Sequence, residues 1–83
     1  MFKAKIDVTL KKSVSDPQGQ TVLEAIHSLG FKGVEGLRVG KHFVLTLNSG
    51  ERKKAEEEVK MMCERLLTNP IIEEYSFQLE EVK

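Results

Sequence analysis

An α+β domain with the element order β-α-β-β-α-β is predicted from three features of the sequence. Two terminal segments alternate apolar and polar residues, two internal segments repeat apolar residues at helical spacing, and a glycine-punctuated stretch rich in β-branched residues lies between those helices. With 83 residues there is room for one domain, spanning 1–83, and for a thin core.

In the first strand Phe2, Ala4, Ile6, Val8 and Leu10 alternate with Lys3, Lys5, Asp7 and Thr9, which puts one set on each face. Ser15-Asp16-Pro17 then supplies an N-cap acceptor and a proline at the first helical position, where its missing N–H is harmless. Val22, Ala25, Ile26 and Leu29 follow at helical spacing, and Gly30 provides a left-handed stop. Leu37-Arg38-Val39 and the run from His42 to Leu47 read as two strands joined by a tight turn at Gly40-Lys41, and Asn48-Ser49-Gly50 breaks the second of them. A second helix is predicted from about Glu51 to Thr68, with Ala55, Val59, Met62, Cys63, Leu66 and Leu67 on its core face and Glu56 placed to pair with Lys60 outside. Asn69-Pro70 ends it, because a residue before proline avoids the helical region. From Ile71 to Leu79, Tyr75, Phe77 and Leu79 alternate with polar residues and form a fourth strand.

This order is the split βαβ arrangement of ferredoxin-like folds, a four-stranded antiparallel sheet with two helices on one face. The other face, bare and bearing some apolar side chains, is then the expected place for a second subunit, so the domain is expected to oligomerise through its sheet.

Thirteen basic and thirteen acidic side chains leave no net charge, so bulk electrostatics seek neither a nucleic-acid backbone nor an acidic substrate. The charges are divided unevenly, with seven basic and four acidic residues up to Leu47 and six and nine after it. The two halves can complement each other within a subunit or between subunits. The single cysteine, Cys63, implies a reducing compartment. The N-terminus moves straight into alternation without a signal-like apolar stretch, and no run approaches the length that crosses a bilayer. A cytoplasmic location, with no membrane partner, is expected.

Most chemistries available to this fold lack their residues here. Metal carriage needs paired thiols in the first loop, but Lys11-Lys12-Ser13-Val14-Ser15 holds none. Acyl-phosphate hydrolysis needs a phosphate-cradling loop between the first strand and helix; the faintly similar Val34-Glu35-Gly36-Leu37-Arg38 precedes the wrong strand. An RNA-binding sheet needs exposed aromatic residues on its central strands, and Phe43 is the only one in the two middle segments. His27 and His42 sit on separate elements with no partner carboxylate at a telling spacing, and Cys63 reads as a small core hydrophobe. Glu56-Glu57-Glu58 and Glu73-Glu74 read as solvated charge runs. No catalytic, cofactor-binding or metal-binding residue is therefore expected.

Two stretches exceed what local structure requires. Gly19 lies in the first turn of the first helix, where it costs up to about 1 kcal/mol against alanine and suggests close approach of another backbone. Arg38-Val39-Gly40-Lys41 places two cations around a turn that Gly-Lys alone would satisfy.

The blocks Leu10–Gly19, Leu37–Lys41 and Leu66–Tyr75, in this order and spacing and over essentially the whole chain, resemble the PurS family, the small subunit of phosphoribosylformylglycinamidine synthase. The resemblance implies membership of a three-component complex of purine biosynthesis, an ATP-dependent glutamine amidotransferase. In it a glutaminase subunit releases ammonia, and a large synthetase subunit, using ATP and magnesium, converts formylglycinamide ribonucleotide to formylglycinamidine ribonucleotide. It also implies that the small subunit has no active site or cofactor of its own, forms a homodimer or homotetramer, binds both partners and assists ammonia transfer. Carried onto this sequence, the family motifs make Asp16, Pro17, Gln18, Gly19, Arg38, Gly40 and Lys41 the candidates for partner contact. An alternative of another class is a free-standing regulatory module of ferredoxin-like fold that binds a small metabolite; a small independent enzyme is a third.

Overall fold

A computed structural model describes residues 1–82. The alternation at the N-terminus becomes β1 (Phe2–Leu10), the central strand of an antiparallel sheet. It is flanked by β2 (Gly40–Leu47) and β3 (Glu73–Glu81). Register pairs Phe2 with Leu47 and Glu81, Ile6 with Phe43 and Phe77, and Val8 with Lys41 and Tyr75. Residues paired directly share a face. One face therefore carries Phe2, Ala4, Ile6 and Val8, all buried, between the half-buried rows Phe43, Leu45, Leu47 and Tyr75, Phe77, Leu79.

Helix α1 (Pro17–Ser28) starts at the Asp16 N-cap and closes at Gly30, whose φ of 100° is the left-handed stop. Helix α2 (Arg52–Met62) continues into a π-helical turn, Cys63–Leu67. Ala55, Val59 and Cys63 are fully buried, with Val59 and Cys63 closing the core against β1. At the other end of the sheet the Arg52 guanidinium lies 5.6 Å from the centre of the Phe2 ring and donates to the Leu79 carbonyl oxygen at 3.1 Å.

Several expectations are corrected. The sheet has three strands, because Leu37-Arg38-Val39 does not pair. Gly40-Lys41 is no turn: Gly40 opens β2 opposite Thr9, and among the described glycines only Gly30 has positive φ, which a two-residue hairpin loop would have required here. The N–H of Val39 is taken instead by the Asp16 carboxylate. The two helices do not share the sheet. Among the described residues α2 alone packs on the apolar face of the sheet, while α1 makes few contacts with the strands or with α2. A nine-residue strand spans about 30 Å and a twelve-residue helix about 18 Å. The 50 Å length of the molecule thus has α1 projecting beyond the sheet, and the radius of gyration, 16.4 Å, exceeds the roughly 12 Å of a compact chain this long.

The bare sheet face is polar, not apolar. It presents Lys3, Lys5, Asp7 and Thr9, His42 and Thr46, and Glu74, Ser76, Gln78 and Glu80, with Val44 as the one large hydrophobe. Uncovered apolar surface lies elsewhere: on α1 and the segment after it, where Val22, Leu29 and Phe31 are exposed, and along β2.

A further correction concerns Leu66, which is 81% exposed. The π-helical turn holds one residue more than an α-turn, shown by the bond from the Thr68 N–H to the Cys63 carbonyl, so Leu66 turns outward while Leu67 stays inward as expected and Thr68 joins it. Val59→Ala is expected to lower unfolding free energy by about 2 kcal/mol, and Leu66→Ala by no more than about 0.5 kcal/mol, in urea titrations followed by circular dichroism. The Glu56–Lys60 pair does not form; among the described residues the ion pairs join different elements or loops, and Lys5–Glu80 and Lys41–Glu73 link the basic N-terminal half to the acidic C-terminal half.

Candidate functional site

At the end of β1 the chain makes a cleft of about 350 Å³ lined by Val8, Leu10, Asp16, Gln18, Val39, Gly40, Lys41 and Glu73. Four of the candidate contact residues, Asp16, Gln18, Gly40 and Lys41, thus meet at one place, with Pro17, Gly19 and Arg38 beside them in sequence. They come together because β1 runs into the loop before α1 just where the chain returns through Leu37–Val39 to start β2.

Asp16 organises this junction. Its Oδ1 accepts the Gly19 N–H at 2.9 Å, capping α1, and its Oδ2 accepts the Val39 N–H at 2.9 Å across the junction. Arg38 stands beside it, Nε to Oδ2 at 3.9 Å, and sends Nη2 to the carbonyl oxygens of Leu10, Lys11 and Val14 at 3.3, 2.9 and 3.2 Å. A Cβ at Gly19 would come 2.5 Å from Asp16 Oδ2 and 2.9 Å from the Leu37 carbonyl oxygen, so the backbone approach suggested by this glycine is made by the chain itself. At Gly40 a Cβ would meet the Val8 carbonyl oxygen at 2.6 Å.

Across the cleft Lys41 Nζ lies 3.3 Å from Glu73 Oε2, while Glu73 Oε1 accepts the Asn69 N–H at 2.7 Å. The lysine side chain is 55% exposed and keeps donors free of Glu73; the glutamate is 13% exposed. Glu73 had read as part of a charge run, and only register, placing it opposite Leu10 near the start of β2, reveals it as a cleft residue.

The backbone N–H groups of Val39 and then Gly19, with a smaller contribution from Arg38, hold the Asp16 carboxyl below its usual range. The Asn69 N–H, and then Lys41, do the same for Glu73. A carboxyl depressed in the folded state stabilises it above the unfolded value and loses that contribution as pH falls through the folded one. Stability is therefore expected to decline from about pH 4 downward, and Asp16→Asn to flatten that decline, in denaturant titrations repeated across pH 5 to about pH 2.

His42, which has no partner carboxylate at a telling spacing in the sequence, meets one across the sheet: its Nδ1 donates to Asp7 Oδ1 at 2.6 Å on the bare face, a pair that follows from strand register. His27 Nε2 donates to the Val34 carbonyl oxygen at 2.7 Å and fastens the returning segment to α1. Cys63 is fully buried, and burial, then Glu64, raises its thiol pKa. Among the described residues no group of three or more metal-ligating side chains converges, and no helix is long and apolar enough to cross a membrane.

A sheet half covered by one helix, a projecting helix with an exposed apolar stripe, and a cleft whose charges are tied to its own backbone define a small α+β subunit equipped for contact with other chains. The family model described as phosphoribosylformylglycinamidine (FGAM) synthase, PurS, matches residues 3–81. The chain belongs to the PurS family. It is 45% identical over 82 residues to the phosphoribosylformylglycinamidine synthase subunit PurS of Bacillus subtilis, covering 99% of this chain and 96% of that one. It is 35% identical over 83 residues to the same subunit of Methanocaldococcus jannaschii, covering all of both. The Bacillus subtilis PurS structure superposes with a TM-score of 0.89 at 44% identity over 98% of this chain and all of that one. A chain in the structure of PurLQS from Thermotoga maritima gives 0.88 at 38% identity over 95% and 96%.

Proposed function

We propose that this chain is the non-catalytic small subunit of an FGAM synthase, bridging the glutaminase and the ATP-dependent synthetase in de novo purine biosynthesis and assisting ammonia transfer between them. The observation that carries this reading is similarity along the full length to PurS subunits, one of them a chain of the PurLQS structure. ATP and magnesium chemistry then belongs to the synthetase subunit, and the setting is cytoplasmic. Neutral ammonia is the nucleophile and water protonates it, so an interface that excludes water serves the reaction without a catalytic side chain.

The subunit works as a homodimer or homotetramer. Its β2 edge carries a single charge, Lys41, whereas β3 carries Glu73, Glu74, Glu80 and Glu81. Two β3 edges would bring like charges together, while two β2 edges can extend the sheet across a two-fold axis. Each projecting α1 then lies toward the partner's uncovered row of Phe43, Leu45 and Leu47, supplying from the second copy the helix that its own sheet lacks.

Gln18 and Lys41, exposed at the cleft, are the contacts to the other subunits in this reading. Lys41→Ala breaks one partly solvated ion pair, worth about 0 to 1 kcal/mol, so melting should hardly change. Co-elution with glutaminase and synthetase in size-exclusion chromatography is expected to weaken. Wild-type chain that never co-elutes with either partner, with substrates present, would sink the bridging role.

A further inference from the structure

We propose that Asp16 and Arg38 are positioning residues that set the direction in which α1 projects, and so decide whether two copies can pair. The inference rests on the two-fold arrangement proposed above. Alpha1, the helix of an arm that returns to the sheet through residues 30–39, makes only a few contacts with the strands or with α2. Apolar burial therefore does not orient the arm, and its direction comes from the bonds at its base.

Those bonds form one linked brace. Arg38, at the end of the arm, grips three carbonyls of the loop at its start, and Asp16, at the head of α1, grips the N–H of Val39 on the way into β2. Together they tie both ends of the arm to each other where they join the sheet. Gly19 lets the strands of this junction close up, since any side chain there would strike Asp16 and the Leu37 carbonyl. A helix cap needs one acceptor oxygen; the second oxygen of Asp16 and the whole of Arg38 exceed that need, and both are spent on direction. An arm free to swing is in the pairing orientation only part of the time, and because both copies must be so at once, apparent dimer affinity falls by the square of that fraction.

The test separates capping from direction. Asp16→Ser keeps an N-cap acceptor for Gly19 but cannot also reach Val39, and Arg38→Met removes the grip on the loop without touching the cap. Spin labels at Glu24→Cys on α1 and Thr46→Cys on β2, both exposed sites, report the arm's direction; Cys63, being buried, stays unlabelled. Labelled chain is diluted into excess unlabelled chain so that only distances within one molecule are read, and dimer affinity is measured by sedimentation on unlabelled variants. Both variants are expected to keep wild-type helicity, to broaden the distance distribution, and to raise the dimer Kd about tenfold, as when about a third of arms remain competent and both copies must be competent at once. Arg38→Lys is expected to fall between wild type and Arg38→Met. Wild-type distance distributions in both variants would overturn the positioning role, whatever happens to affinity. A wild-type chain that sediments as a monomer at tens of micromolar would instead overturn the pairing, and the distances alone would then decide the brace.

Discussion

Glutamine-dependent formation of formylglycinamidine ribonucleotide is expected to fall at least about tenfold when this chain is left out of a mixture of glutaminase, synthetase, ATP and magnesium. Supplying high ammonium in place of glutamine should largely abolish that difference, because ammonia then reaches the synthetase from solution and no bridge is needed. The chain alone should turn over neither glutamine nor ATP: its cleft charges are engaged with its own backbone and with each other, and its cysteine is buried. The measurement is the rate with each nitrogen source, with and without the chain. Equal glutamine-dependent rates in its absence would refute the bridging role, and an equal loss with ammonium would move the chain's action from ammonia delivery to the synthetase itself.

Ile6→Ala is expected to be the most damaging single truncation, at about 3 to 4 kcal/mol, because Ile6 is the fully buried midpoint of the central strand. Among the described residues α2 is the only helix packed over this sheet, so the site has little neighbouring structure with which to collapse into the cavity. For a domain this size such a loss lowers Tm by roughly 15 to 25 °C, against a total stability of about 4 to 12 kcal/mol. Val44→Ala, on the polar face and 55% exposed, serves as the comparison and should shift Tm by only a few degrees. Calorimetry at fixed protein concentration reads both, the concentration being held because pairing adds to apparent stability. A shift for Ile6→Ala no larger than that for Val44→Ala would show that the core lies elsewhere.

Local signals sufficed for most of the secondary structure. The period-two alternation of β1, the Asp16-Pro17 start and Gly30 stop of α1, the break at Asn48-Ser49-Gly50 and the apolar spacing of α2 are written within a few residues of where they act, and the structure places each of these elements within a turn of its expected bounds once the π-helical turn is counted with α2. Blocks of residues along the chain also carry the PurS family, to whose subunits the chain is similar over nearly its whole length.

Long-range contacts settled what spacing left open. Leu37-Arg38-Val39 has the composition of a strand, yet the N–H of Val39 is taken by a carboxylate 23 residues earlier, so the expected hairpin gives way to a brace and the sheet keeps three strands. The polarity of the bare face depends on register, which aligns His42 and Thr46 with the polar side of β1; a one-residue shift would have reversed it. Leu66 turned outward because one i+5 bond adds a residue to the last helical turn, a geometry with no period in the sequence to announce it. The apolar stripe of α1 was legible as a stripe, but periodicity names a buried face without saying what buries it, and among the described residues no strand or other helix covers this one.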